Sequence, residues 1–329
     1  MATTTRTRKK PTAAQIKRRT DAAEALRAQQ TAAILELAEG EAWTRWVKAG
    51  QLLRSYSANN ALLILAQYPQ ATAVAGFNVW EKIGNPVELN VGHKGIAIWG
   101  KPYRSTKWIA SHEARPEQVI LDRDGDKVKV YTGYASYPIC KVFDVSQTVH
   151  KTVDLPTRTP SMSDADADRL ITLIENHLTS TGWAITNRDD LPAHIGGVTV
   201  HEDRTIHLPK NAAPAARAHS LLHEAAHAVL HGDDTWATIS AYGLDKGCRG
   251  DAEVQAETVA YIVGNLLGVD MSSYSTGYVA GWATAGADRE DKDAIVAKIE
   301  KSMKAVHAGV NALMDALDGP AVKVAALAE

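Results

Sequence analysis

The chain has 329 residues and a mass of 35.4 kDa, with 45% hydrophobic and 22% charged residues; the length suits two domains and the composition excludes wholesale disorder. The longest clean apolar stretch, Ala61–Ala66, falls far short of the roughly 20 residues of a membrane helix, and no apolar run follows the basic start Met1–Lys10 as it would in a secretory signal. Two cysteines, Cys140 and Cys248, exclude a disulfide framework and a four-cysteine zinc site, so the expectation is a cytoplasmic protein with reduced thiols and no membrane partner.

The formal net charge of −2 hides a split. Residues 1–150 carry 21 Lys+Arg against 13 Asp+Glu, a net of +8, whereas residues 151–329 carry 15 against 25, a net of −10. Asymmetry of this kind suggests that the first half meets a polyanion. The first 30 residues hold eight basic and two acidic side chains, which fits either a solvated tail or an arm that contacts nucleic acid.

In chain order, Ile16, Ala23, Leu26, Ile34 and Leu37 have helical spacing and predict a helix over 13–38. Trp43, Trp46, Val47, Leu52 and Leu53 mark a second helix, and Asn59–Tyr68 a third, stopped by Pro69. A short helix follows around Val79–Ile83, then a strand at Gly95–Gly100. The stretch 104–137 is weakly patterned apart from a hairpin turn at Asp122–Asp126, and Ile139–Val145 is a strong strand. Val153–Pro160, with two prolines, reads as a linker. The second half opens with a helix over 164–180 capped by Ser163 or Asp164. Short strands at 183–186, 197–201 and 205–208 come next, then helices over 214–231, 252–267, 275–284 and 289–314. The order makes the fold class α+β.

The chemistry sits at Ser220-Leu-Leu-His223-Glu224-Ala-Ala-His227, an HExxH pattern that Ala-Val-Leu-His231 follows. Histidines four apart share one helical face and can share a metal, so His223 and His227 are the candidate ligands. Zn2+ suits two imidazoles and a carboxylate with a fourth position left for water, and Glu224 is placed to take a proton from that water as the catalytic base. A third ligand is offered by the helix Gly250-Asp-Ala-Glu253-Val-Gln-Ala-Glu257, whose two glutamates share a face. His231 is either an outer group of the site or a helix-end residue. His219 lies a turn before the motif, and His201 and His207 flank a hairpin as surface residues. Tyr274 and Tyr278 follow the site; either phenol is a candidate to stabilise an oxyanion, with plain packing as the alternative.

HExxH followed by a helix with E-x-x-x-E resembles the gluzincin metallopeptidases. On that resemblance Glu253 is the third metal ligand and Glu257 orients a ligand histidine from outside; the reverse assignment and a solvent-facing acidic pair stay open. The first half carries Tyr56-Ser-Ala-Asn-Asn60-Ala-Leu-Leu-Ile-Leu, Gly76-Phe-Asn-Val-Trp80, Val91-Gly-His-Lys94-Gly95 and Val142-Phe-Asp-Val-Ser-Gln147. These segments are similar to the N-terminal domain of ArdC-type antirestriction proteins, and the second half to their zinc-metallopeptidase-like domain and to the ImmA/IrrE peptidases. Residues 104–137 look like an insertion against that family. Between a basic helical arm at 1–39 and a linker at 153–162, both read from composition, the resemblance implies an α+β module binding single-stranded DNA at 40–152, and after the linker a gluzincin-like metallopeptidase domain at 163–329.

Single strands are held by cationic grooves and stacking aromatics. The candidates for DNA contact are Arg45, Lys48, Arg54, Tyr56, Asn60, Lys94, Trp99, Lys101 and Arg104, with Phe77, Tyr103, Lys107 and Trp108 nearby. The expected function is single-stranded DNA binding joined to a zinc metallopeptidase, serving antirestriction for a mobile element or phage. Two alternatives stand beside it: a regulatory peptidase that cleaves a repressor or DNA-bound protein, and a non-catalytic protector with structural zinc. The protein or peptide substrate is not legible.

Overall fold

A computed structural model of the chain describes residues 12–38, 40–88, 92–115, 118–152, 163–192, 195–231, 251–269, 271 and 291–317. The expected linker, the helix at 275–284, Tyr274, Tyr278 and Cys248 lie outside the described residues. Among those described, the architecture is α+β: helices wrap three small sheets.

Helix α1 (Ala13–Glu36) opens on a capping box in which Thr12 and Gln15 bond each other's backbone N–H through their side chains. Its first turns are exposed, but Leu26, Ala33 and Ile34 are buried, and the helix packs on α3 and on the last helix. The second predicted helix is two elements, α2 (Gly40–Lys48) and a 3-10 turn at Gly50–Arg54. Glycine is required at that break, since a β-carbon on Gly50 would come within 2.5 Å of Ile262 Cγ2. Helix α3 (Ala58–Gln67) is capped by Ser57 and ends before Pro69.

The first sheet has the order β1 (Val74–Gly76), β6 (Ile139–Asp144), β2 (Ile96–Trp99), all antiparallel, with Val74 opposite Asp144 and Ile96 opposite Val142. Helix α4 (Phe77–Lys82) follows β1 directly. Strand β2 would be an open edge, but two amides seven residues apart on α3 close it. Asn60 exchanges bonds with the backbone of Trp99 at 2.8 and 3.0 Å, and Gln67 does the same with Ala97 at 2.8 and 2.9 Å. Asp144 ends β6 as a buried carboxylate that accepts from the N–H groups of Thr72, Ala73 and Ser146. The weakly patterned stretch 104–137 is a second antiparallel sheet, in the order β3 (Tyr103–Ala110), β5 (Lys127–Ser136), β4 (Ile120–Asp124). It gave little periodic signal because β3 and β4 are exposed along most of their length, and among its described residues only Val128 and Val130 on β5 are buried.

The second half begins with α5 (Asp164–Ser180), capped by Ser163. Strands β7 (Ala184–Arg188), β8 (Val198–Val200) and β9 (Thr205–Pro209) form the third sheet, with β9 central, parallel to β7 and antiparallel to β8. Helices α6 (Pro214–Leu230), α7 (Asp251–Leu266) and α8 (Lys292–Ala316) pack on one another, and α6 packs on α5. One continuous buried cluster includes Trp43, Leu53 and Ile64 from the basic half and Ile262, Met303 and Val310 from the acidic half. The opposite charges of the halves therefore lie over a shared apolar core. Among the described residues, no helix is long and apolar enough to cross a membrane.

Candidate metal centre

Helix α6 starts with Pro214 in its first turn and buries Ala218, Leu221, Leu222, Ala225 and Ala226 against its neighbours. That burial fixes the rotation of the helix and turns His223 and His227 together toward α7. Their Nε2 atoms are 3.1 Å apart. Glu253, in the first turn of α7, places Oε2 3.5 Å from His223 Nε2 and Oε1 3.4 Å from His227 Nε2. The three ligating atoms lie within 4.8 Å of one another. A tetrahedral ion with bonds of about 2.05 Å separates its ligand atoms by about 3.3 Å, close to these spacings. Glu253 faces both Nε2 atoms, whereas Glu257 lies behind, with Oε2 2.9 Å from His223 Nδ1.

The other ring nitrogens are held so that each Nε2 is the free one. His223 Nδ1–H donates to Glu257, whose second oxygen is 3.6 Å from His219 Nε2. His227 Nδ1 is 3.0 Å from His231 Nδ1, His231 Nε2 is 3.2 Å from Gln255 Oε1, and Gln255 Nε2 donates to Ser302 Oγ at 2.9 Å. Because the Gln255 amide donates to Ser302, its oxygen must accept from His231 Nε2–H. His231 Nδ1 is then an acceptor, and His227 Nδ1 carries the proton. Burial and the neighbouring His227 push His231 down to about 4, which keeps it neutral for this role.

In the metal-free chain the carboxylates favour the protonated form of His223. Burial alone would lower His223, but its bonds to Glu253 and Glu257 outweigh that and raise it to about 10. Glu253 is held well below the usual carboxylate range by its bonds to His223 and His227. Burial would raise Glu257, yet His219 and His223 bring it well below that range too.

Glu224 packs against the third sheet. Thr199 Oγ1 on β8 donates to its Oε2 at 2.6 Å. The backbone before β8 reaches the helix only because residues 196 and 197 are glycines: a β-carbon on Gly197 would sit 2.8 Å from Glu224 Cγ. Spacing along one helix could not reveal Thr199, Gln255 or Ser302, because each comes from a different element. His201 is a correction: it is buried against Trp183 at 5.5 Å between ring centroids, not a surface residue.

Four of the nine expected DNA contacts also bond to partners within the chain. Arg54 is 7% exposed and binds Asn311 Oδ1 and Asp315 Oδ1 on α8, both at 2.7 Å. The Tyr56 hydroxyl donates to the Val74 carbonyl, and burial pushes its pKa up. Asn60 is the β2 clamp, and Trp99 donates to Gln30 Oε1 with Arg27 over its ring. Arg45, Lys48, Lys94, Lys101 and Arg104 are exposed.

No family model matches the chain. It is 27% identical over 291 residues to an uncharacterized protein of Bacillus anthracis, covering 80% of this chain and 46% of that protein. This chain thus spans less than half the length of that relative. Among solved structures it is similar to the antirestriction protein ArdC of plasmid R388 in a Mn(II)-bound form, at 14% identity and a TM-score of 0.39, covering 80% of this chain and 89% of that one.

Proposed function

We propose that the chain is a single-stranded DNA-binding antirestriction protein of the ArdC type, acting in the cytoplasm, whose second half is a zinc metallopeptidase. The observation that carries the enzymatic part is the triangle of His223, His227 and Glu253 beside a Glu224 that Thr199 holds by one oxygen. A structural zinc site has no use for an oriented carboxylate that is not a ligand.

His223, His227 and Glu253 would hold the metal, which when bound supplies a Lewis acid that acidifies water and polarises an amide carbonyl. Thr199 occupies Glu224 Oε2, so the other oxygen is the one that receives the proton of the attacking water. Glu224 then returns that proton to the departing amine nitrogen, as general base and then general acid. Glu257 and the His231–Gln255–Ser302 chain keep the two imidazoles oriented throughout. The net +8 of residues 1–150 and the exposed lysines and arginines of that half support the DNA reading.

The test pairs three measurements on the full chain: metal content, hydrolysis of a denatured protein, and affinity for a single-stranded oligonucleotide beside its duplex. The expected result is about one zinc per chain, hydrolysis that Glu224→Gln abolishes, and tighter binding of the single strand. Hydrolysis that survives Glu224→Gln would reject the enzymatic reading, and equal binding of both DNA forms the single-strand reading.

A further inference from the structure

Exposed apolar surface is concentrated in the second sheet. Among the described residues, seven of the ten exposed large hydrophobic side chains lie within residues 103–137. The register says which of them share a face. Val128 and Val130 on β5 are 1% and 0% exposed, so they turn to the covered side. Strand alternation then puts Lys127, Lys129 and Tyr131 on the open side. Directly opposite, β3 pairs Trp108 with Lys129 and Thr106 with Tyr131.

Rings and cations interleave on that open face. Lys129 Nζ lies 5.9 Å from the Trp108 ring centroid, and the Arg104 guanidinium 5.6 Å from that of Tyr131. Trp108 is 43% and Tyr131 39% exposed. Trp108 and Tyr131 are diagonal neighbours across the two strands, about 7–8 Å apart by sheet geometry. The charged residues of β3, Arg104 and Lys107, are both cationic, whereas Asp122 and Asp124 sit across β5 from it, on β4, opposite Lys129 and Lys127. Positive charge therefore follows the β3–β5 side, and the acidic groups bound it along β4.

We propose that the open face of β3 and β5 is the platform on which single-stranded DNA lies, with bases on Trp108 and Tyr131 and phosphates on Arg104 and Lys129. The inference rests on the single-strand reading above and gives it a location. Charge complementarity argues for the occupant: a polyanion is drawn to the cationic side, and exposed rings offer stacking faces. Single-stranded bases present their faces to such rings, whereas a duplex hides them. A protein partner would have no such requirement for cations beside each ring.

The experiment measures anisotropy of a labelled oligothymidylate with the full chain. Trp108→Ala and Tyr131→Ala should each weaken binding at least about fivefold, and Trp108→Phe should restore most of it. Arg104→Gln with Lys129→Gln should flatten the slope of log affinity against log salt by about 1.4. All variants should keep their metal content and circular dichroism. If the native chain binds the oligonucleotide and these variants bind equally well, the platform is elsewhere and only this inference falls. If the native chain does not bind it at all, the single-strand reading falls and takes the platform with it. Loss of binding that Trp108→Phe does not relieve would overturn stacking.

Discussion

Thr199 Oγ1 donates to Glu224 Oε2 at 2.6 Å, which ties an edge strand of the third sheet to the middle of helix α6. The bond selects which carboxylate oxygen is free and resists rotation of the side chain. Thr199→Val keeps the shape and removes the donor. The expected outcome is full metal content with a turnover number about 10–100-fold lower on a peptide substrate, and Thr199→Ser restoring it. An unchanged turnover number in Thr199→Val would show that Glu224 needs no such support.

The chain His227–His231–Gln255–Ser302 ends on α8, so residues some 75 positions apart in sequence fix one ring tautomer. Gln255→Leu removes the acceptor of His231 Nε2–H. It should weaken metal binding about 10–100-fold in a chelator competition, whereas Glu224→Gln should leave the affinity intact. Full metal loss is expected for His223→Ala and Glu253→Ala. Retention in Glu253→Ala together with loss in Glu257→Gln would exchange the roles of the two glutamates.

Proton release should accompany metal uptake. In the metal-free chain His223 is raised from 6.5 to about 10 by its two carboxylate partners. At pH 7 it therefore carries a proton on each ring nitrogen, and Nε2 must lose one to bind a metal. The sign is fixed: affinity rises with pH, about tenfold per unit between pH 6 and 8, with one proton released per metal bound. Calorimetry in two buffers of different ionisation enthalpy counts the protons. A count of zero at pH 7 would mean that His223 is neutral before the metal arrives.

Helices were legible where the burial stripe was strong. The span 164–180 with its Ser163 cap is found unchanged in α5, and Pro69 stops α3 as its chemistry requires. The histidine pair of the candidate metal site was legible because His223 and His227 share one helix; Glu253 came from the resemblance with Glu257 left open, and in the structure it is Glu253 that faces both Nε2 atoms. What the sequence hid depends on contacts between elements. Arg54, Tyr56, Asn60 and Trp99 read as surface cations, rings and amides, yet each is consumed by a partner 18 to 261 residues away. The sheet of residues 103–136 was hard to read for the reverse reason: β3 and β4 are exposed along most of their length, and only the short run Lys127–Val130 on β5 alternates polar with apolar residues.

Arg54 is expected to matter for stability and not for DNA. Its guanidinium is buried on α8, although its partner Asp315 is largely exposed, so the ion pair itself contributes little. The buried stem and the bond to Asn311 contribute more. Arg54→Ala should cost roughly 1–3 kcal/mol and lower the melting temperature, and Arg54→Met should cost less by keeping the stem. Affinity for a single strand at moderate salt should stay within about twofold of the native chain. A large affinity loss with an unchanged melting temperature would return Arg54 to the DNA-contacting set.

The two proposed activities should separate by mutation even though the halves share a core. In the proposed mechanism Glu224 serves only hydrolysis, and it lies on α6, remote in sequence from the sheet of β3, β4 and β5. Glu224→Gln removes the base while preserving size and the bond that Thr199 donates, so metal content and fold should persist. Shielding of incoming DNA requires occupancy of the strand and no bond cleavage. A restriction-protection assay should therefore find Glu224→Gln as protective as the native chain, and Trp108→Ala with Lys129→Gln impaired despite full hydrolysis of a denatured protein. If Glu224→Gln instead loses protection as completely as the sheet variant, shielding is wrong. Cleavage of a restriction or regulatory protein then becomes the leading account, with the first half as the module that brings the peptidase to DNA.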